Sequence, residues 1–123
     1  MRGIQPETVL RSHIFSFLSS CSEFTGFVVV NAATYDPSRK IYRKKTGVGH
    51  RLGVSDIIGL WNGTFIAIEV KTQTGRISEH QEFFMKDVVA HGGLAFVVRS
   101  VDEVVDLVRS IRIAETMNNS DKH

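Results

Sequence analysis

The chain has 123 residues, 42% of them hydrophobic, and a formal net charge of +2. Such a length builds one domain around one core, and the apolar content is too high for a disordered chain. No apolar run approaches the roughly 18 residues of a membrane helix, and Cys21, the single cysteine, excludes an internal disulfide and a cysteine-rich zinc site.

Met1 to Leu10 lacks the basic-then-apolar layout of a secretory signal, so the expected location is the cytoplasm, with no membrane partner. A helix is predicted from about Pro6 to Ser20: proline suits a first turn, and Leu10, Ile14, Phe17 and Leu18 form a helical apolar stripe. Phe27 to Val30 is a continuous, mostly β-branched run, the pattern of a strand covered on both faces. Asp36-Pro37-Ser38 signals a turn. Arg39 to Arg51 then holds six Lys or Arg and no acid; the other nine basic residues face thirteen acidic ones, so the rest of the chain stands at −4. Such a patch fits either a polyanion partner or a solvated loop. Ile41-Tyr42 within it suits a short strand, and Gly47, Gly49 and Gly53 mark a flexible loop.

Ser55 to Trp61 and Thr64 to Lys71 read as two strands joined at Asn62-Gly63, a pair that tolerates the positive φ of a type I′ hairpin turn. A helix is expected from Ser78 to about Ala90, with Phe84, Met85, Val88 and Val89 on its buried face and Gly92-Gly93 ending it. Leu94 to Val98 is expected as a further buried strand and Val101 to Ile113 as a last amphipathic helix. Glu115 to His123 is polar and expected to fray. The fold class is therefore α/β, a mixed sheet flanked by helices in the order α-β-(β)-β-β-α-β-α. The expected domain spans residues 1–113, followed by a polar tail at 114–123.

A two-residue turn makes paired positions sum to 125, which sets Asp56 opposite Glu69. Opposed side chains have Cβ atoms about 5 Å apart. Alternation then gathers Asp56, Glu69 and Lys71 at one end of a mostly apolar hairpin face with Ile58, Leu60, Phe65 and Ala67. Two readings are open from this geometry. One is a structural Glu69–Lys71 ion pair beside a solvated Asp56; the other is a divalent-cation site, since Mg²⁺ takes one or two carboxylates with waters and phosphate oxygens.

Asp56, followed after a hairpin by Glu69-Val70-Lys71, resembles the D…ExK signature of the PD-(D/E)XK nuclease superfamily. Gly75-Arg76-Ile77-Ser78-Glu79-His80-Gln81, Gly92-Gly93 and Val97-Val98-Arg99-Ser100 narrow the resemblance to the virus-type replication-repair nuclease (VRR-NUC) domain, over Glu7 to about Leu107. One departure is Ser55, where the family has proline. The resemblance implies a restriction-endonuclease-like core and a Mg²⁺- or Mn²⁺-dependent DNA endonuclease. On it, Asp56 and Glu69 are metal ligands with the Val70 carbonyl as a third, and Lys71 activates or orients the attacking water. Gln81 matches the family's glutamine, although Ser78-x-x-Gln81 is also a capping box. Glu7 matches an acid on the family's first helix, although a first-turn acid is also favoured by the helix dipole.

Arg39, Lys40, Arg43, Lys44, Lys45, His50, Arg51 and Arg76 are candidate DNA contacts, and Tyr35 and Tyr42 candidates for stacking on an unpaired base. His13, His80 and His91 lack metal-ligand spacing. Minimal versions of the domain are associated by the resemblance with phages and with branched DNA such as Holliday junctions. Two symmetric cuts need two sites, hence an expected homodimer, with Phe24, Phe27 and the last helix as candidate interface. Alternatives are a nicking or flap nuclease module of a replication-repair complex, a catalytically silent DNA-binding module, and an α/β interaction domain with a basic loop.

Overall fold

The computed structural model describes residues 6–29, 33–36, 38–44 and 49–120. Pro6 caps the first helix, α1 (Glu7–Ser20), its carbonyl accepting the Leu10 N–H at 3.0 Å. Leu10, Ile14 and Leu18 of the expected stripe are buried, with Phe17 partly buried beside them.

The first strand, β1 (Phe24–Val28), starts earlier than the apolar run and is an edge of the main sheet, with Phe27 61% exposed. The two-sided covering expected here is therefore not found: strand order puts this strand outermost. Val30 lies outside the described residues. The basic region forms a hairpin of β2 (Ala33–Asp36) and β3 (Ile41–Lys44), a separate two-stranded sheet in which Tyr35 pairs with Tyr42. Only its second strand was expected, because Ala-Thr-Tyr-Asp has no apolar run and becomes a strand through its partner.

Strands β4 (Ile57–Trp61) and β5 (Thr64–Val70) pair in the predicted register, Trp61 with Thr64 through Ile57 with Ile68. Asn62 and Gly63 at the turn have φ of 46° and 83°, as a type I′ turn requires. Helix α2 (Glu79–Ala90) follows, capped by Ser78 and closed at Gly92, whose φ is 89°. Phe84 is its buried residue and Met85 and Val88 are half-buried, whereas Val89 faces solvent. Strand β6 (Leu94–Val98) runs parallel to β5 at the other edge, where only Val98 is fully buried. Helix α3 (Val101–Ser120) continues past the predicted end. Glu115 explains this, since its carboxylate accepts from Trp61 Nε1 at 2.7 Å and Asn62 Nδ2 at 3.1 Å, tying the helix to the hairpin turn.

The main sheet is mixed, in the order β1-β4-β5-β6, with antiparallel pairs followed by one parallel pair. This is the expected α/β, restriction-endonuclease-like architecture. Register assigns the faces. Phe24, Ile57, Trp61, Ile66, Ile68, Val70 and Val98 point to one side and pack with Leu10, Ile14 and Leu18 of α1 and Val104 and Val108 of α3. Phe24 is thus buried, its ring edge-on to Phe15, and is unavailable for the interface expected of it. The opposite face carries Phe27, Ile58, Leu60, Phe65, Ala67 and Glu69, and α2 packs on its β5–β6 half. Among the described residues no helix is long and apolar enough to cross a membrane.

Candidate active site

The hairpin ladder closes at Ile57–Ile68, so the next step along the same register brings Asp56 to Glu69. Here the Asp56 carbonyl accepts from the Val29 N–H at 2.8 Å, while its carboxylate turns to the other strand and accepts the Val70 N–H at 2.9 Å. Asp56 is thereby fixed at both ends between β1 and β5. Glu69 sits on the α2 face of the central strand and is 1% exposed. Burial first, then hydrogen-bond contact with and charge repulsion from Asp56, push its carboxyl up to about 8. Lys71 acts in the opposite direction, with Nζ 3.8 Å from Glu69 Oε1.

Gln81 contacts both the helix start and the carboxylate pair. Its Oε1 accepts the Ser78 N–H at 2.9 Å and its N–H donates to Ser78 Oγ at 3.1 Å, completing the capping box. Its Nε2 donates to Glu69 Oε1 at 3.0 Å. The other oxygen, Glu69 Oε2, is buried and has no hydrogen-bond donor. A buried carboxylate oxygen facing a second carboxylate and lacking a donor is costly unless a proton or a cation completes it. Among the described residues no three His, Cys, Asp or Glu converge as a full cage. Two carboxylates side by side at a strand end match instead the partial ligand set that Mg²⁺ prefers.

Glu7 is exposed in the first turn of α1, and its charge raises Glu69. One turn on, Arg11 Nη1 lies 3.7 Å from Asp56 Oδ1, a partner that the sequence analysis missed. Arg99 was also missed as a site element: its Nη1 donates to the carbonyls of Thr72 and Gly75, both at 2.6 Å, and holds the loop that leaves Lys71. No local pattern announces such a contact. Beside this loop a cleft of about 370 Å³ is lined by Leu10, Thr72, Gln73, Arg99, Ser100 and Asp102. Ser55, at the family's proline position, is fully buried with its hydroxyl unpartnered.

The candidate DNA contacts divide. Arg39 and Lys40 are exposed at the turn of the β2–β3 hairpin, Arg43 and Lys44 lie on β3, and Lys45 falls outside the described residues. His50 and Arg76 are exposed. Arg51 is already engaged, donating to Asp87 Oδ2 at 2.7 Å and lying 5.0 Å from the Phe84 ring centre. His80 and His91 belong to α2 and its C-terminal cap, and His91 Nδ1 lies 3.3 Å from Asp87.

No curated protein matches the chain. The family model of the VRR-NUC domain matches residues 28–102, a span holding the basic hairpin, both strands of the carboxylate hairpin, α2 and β6. The chain belongs to the VRR-NUC family and is a nuclease domain.

Proposed function

We propose that this nuclease domain is a Mg²⁺- or Mn²⁺-dependent endodeoxyribonuclease, structure-selective for branched DNA such as a Holliday junction, and acting as a homodimer. The observation that carries the reading is Glu69 Oε2, buried without a donor and facing Asp56 beside Lys71. Asp56 and Glu69 would hold the cation, with the Val70 carbonyl as a third ligand. Bound there, a divalent cation supplies a water of lowered pKa and neutralises charge on the phosphate.

The protein's own groups do the rest. The Val70 N–H holds Asp56 in place, and Gln81 orients Glu69 by occupying one oxygen and leaving the other free. Lys71 is near enough to Glu69 to share the site, where its ammonium positions the water and stabilises the pentavalent phosphate. Glu7 contributes negative charge from α1, which favours a cation. Arg39, Lys40, Arg43 and Lys44 on the hairpin arm, with Lys45, His50 and Arg76, would contact the DNA backbone and set its path, while bases carry any sequence preference. Tyr35 and Tyr42 would stack on bases opened at a branch. Two symmetric cuts require two copies, and either the exposed Ile113 and Met117 of α3 or Phe27 on the opposite face of the sheet offers apolar surface for pairing.

The test is cleavage of labelled four-way junction, flap, single-stranded and linear duplex DNA with Mg²⁺ or Mn²⁺, beside Lys71→Ala and an EDTA control. Paired symmetric nicks on the junction, lost in both controls, are expected. Cleavage confined to flaps or duplex would keep the nuclease and remove the resolvase. Binding without any cleavage would leave a silent DNA-binding module.

A further inference from the structure

The segment that delivers Asp56 is fastened to α2 at two points. Gly53, with φ of 78°, lies so close to the helix start that a Cβ there would sit 2.2 Å from the His80 carbonyl carbon and 2.6 Å from the Gln81 nitrogen. Two residues earlier, Arg51 reaches the middle of the same helix, donating to Asp87 at 2.7 Å and lying against Phe84 at 5.0 Å and Phe83 at 5.7 Å. Asp87 is held in turn by His91, 3.3 Å away, and Arg51 keeps its carboxyl below the usual range. The same helix sends Gln81 to Glu69, and Asp56 is bonded to Val70. These links close a ring: Asp56, Val70 and Glu69, Gln81, α2, Asp87, Arg51, Gly53, and back to Asp56. An exposed ion pair contributes little to overall stability, so the value of this one lies in where it pins the chain.

We propose that Arg51 is a positioning residue rather than a DNA contact: by clamping the glycine-rich segment onto α2 through Asp87 and Phe84, it sets Asp56 against Glu69 and Gln81. This rests on the nuclease reading above. Groups that orient metal ligands typically alter metal affinity or activity by about 10- to 100-fold when removed.

The test uses the full chain with Arg51→Gln, Asp87→Asn, the double variant and Arg51→Lys. The two single variants are each expected to raise the Mn²⁺ concentration for half-maximal cleavage by about ten-fold or more. The double variant should be no worse than the more impaired single one, since both break one link. Arg51→Lys, which keeps the charge for Asp87, should recover part of the loss. Metal-free DNA affinity and its salt dependence should match wild type. A phosphate contact predicts otherwise: Arg51→Gln alone would weaken DNA binding and lower the salt slope by about one, while Asp87→Asn left cleavage intact. That result overturns the proposal.

A wild type that cleaves nothing sinks the nuclease reading instead, and the clamp is then decided by the metal-induced rise in Tm. An equal rise in wild type and variants overturns it; a smaller rise in both single variants supports it. Should Arg51→Gln fail to fold, Asp87→Asn and Arg51→Lys carry the same comparison.

Discussion

The two faces of the central sheet are built on opposite principles. Toward α1 and α3, β5 presents Ile66, Ile68 and Val70, all nearly or fully inaccessible and matched by aliphatic side chains across the interface. Toward α2 the same strand presents Phe65 at 38% exposure, Ala67, and then Glu69, a carboxylate buried as deeply as its apolar neighbours. On β4, Leu60 of that face is 44% exposed. One face therefore gains stability by removing apolar surface from water, while the other buries an acid only part-satisfied by Gln81 and Lys71, whose ionisation costs the metal-free fold stability. The difference teaches that stability and chemistry are separable along one strand by side-chain parity alone.

Substitutions can break that comparison, beginning with the largest effect. Lys71→Ala should lower cleavage by about 10²- to 10⁴-fold with little change in Tm, as single-turnover rates beside thermal melts would reveal. A parallel collapse of Tm would mean that Lys71 is a structural partner of Glu69. Ile68→Ala, on the other face, should cost about 2–5 kcal/mol by denaturant titration while the folded fraction keeps its cleavage rate per molecule. Activity lost before stability would show the two faces to be coupled.

The pH dependence follows from Glu69. Between the ordinary carboxylate value of 4.5 and about 8, the folded chain holds a proton that the unfolded chain releases. Metal-free stability therefore falls as pH rises through that window and levels off above it. Glu69→Gln should abolish that part of the slope; an unchanged slope would put the titration elsewhere. Saturating metal should oppose the fall, because ligation requires the deprotonated carboxylate.

Smaller effects sharpen the same contrast. Above about pH 8, where both carboxyls are ionised, Asp56→Asn relieves repulsion at Glu69 and should raise metal-free stability by about 1 kcal/mol while removing metal-dependent stabilisation, both readable in one set of melts. Ser55→Ala deletes a buried hydroxyl that has no partner and should stabilise by up to about 1 kcal/mol without loss of cleavage. Destabilisation there would reveal a bonded hydroxyl.

What was legible in the sequence was what local spacing encodes. Asn62-Gly63 determines the turn, the turn determines the register, and the register places Asp56 at Glu69. Ser78 and Gln81 likewise mark the helix start, from which Gln81 reaches Glu69. Long-range partners were not legible. The predicted end of α3 rests on composition, yet Glu115 is held by Trp61 and Asn62, more than fifty residues away. Ala33 to Asp36 has no strand pattern of its own and takes its form from β3. The position of β1 at an edge depends on strand order, which β-branched content does not reveal. Arg51 was legible as a cation beside other cations; that Asp87 and Phe84 receive it follows only from α2 folding back over the sheet.

The Gln81 amide has its polarity fixed, its oxygen committed to the start of α2 and its nitrogen to the carboxylate centre. Glutamate serves equally well in a capping box, but at this position it would turn the donor into a third anion. The two roles therefore constrain each other: no residue can improve the helix start without being screened by Glu69. They also share a fate in time. Any fluctuation that frays the first turn of α2 unhooks Glu69 at the same moment, so amide exchange at Ser78 and Gln81 serves as a clock for the opening of the site.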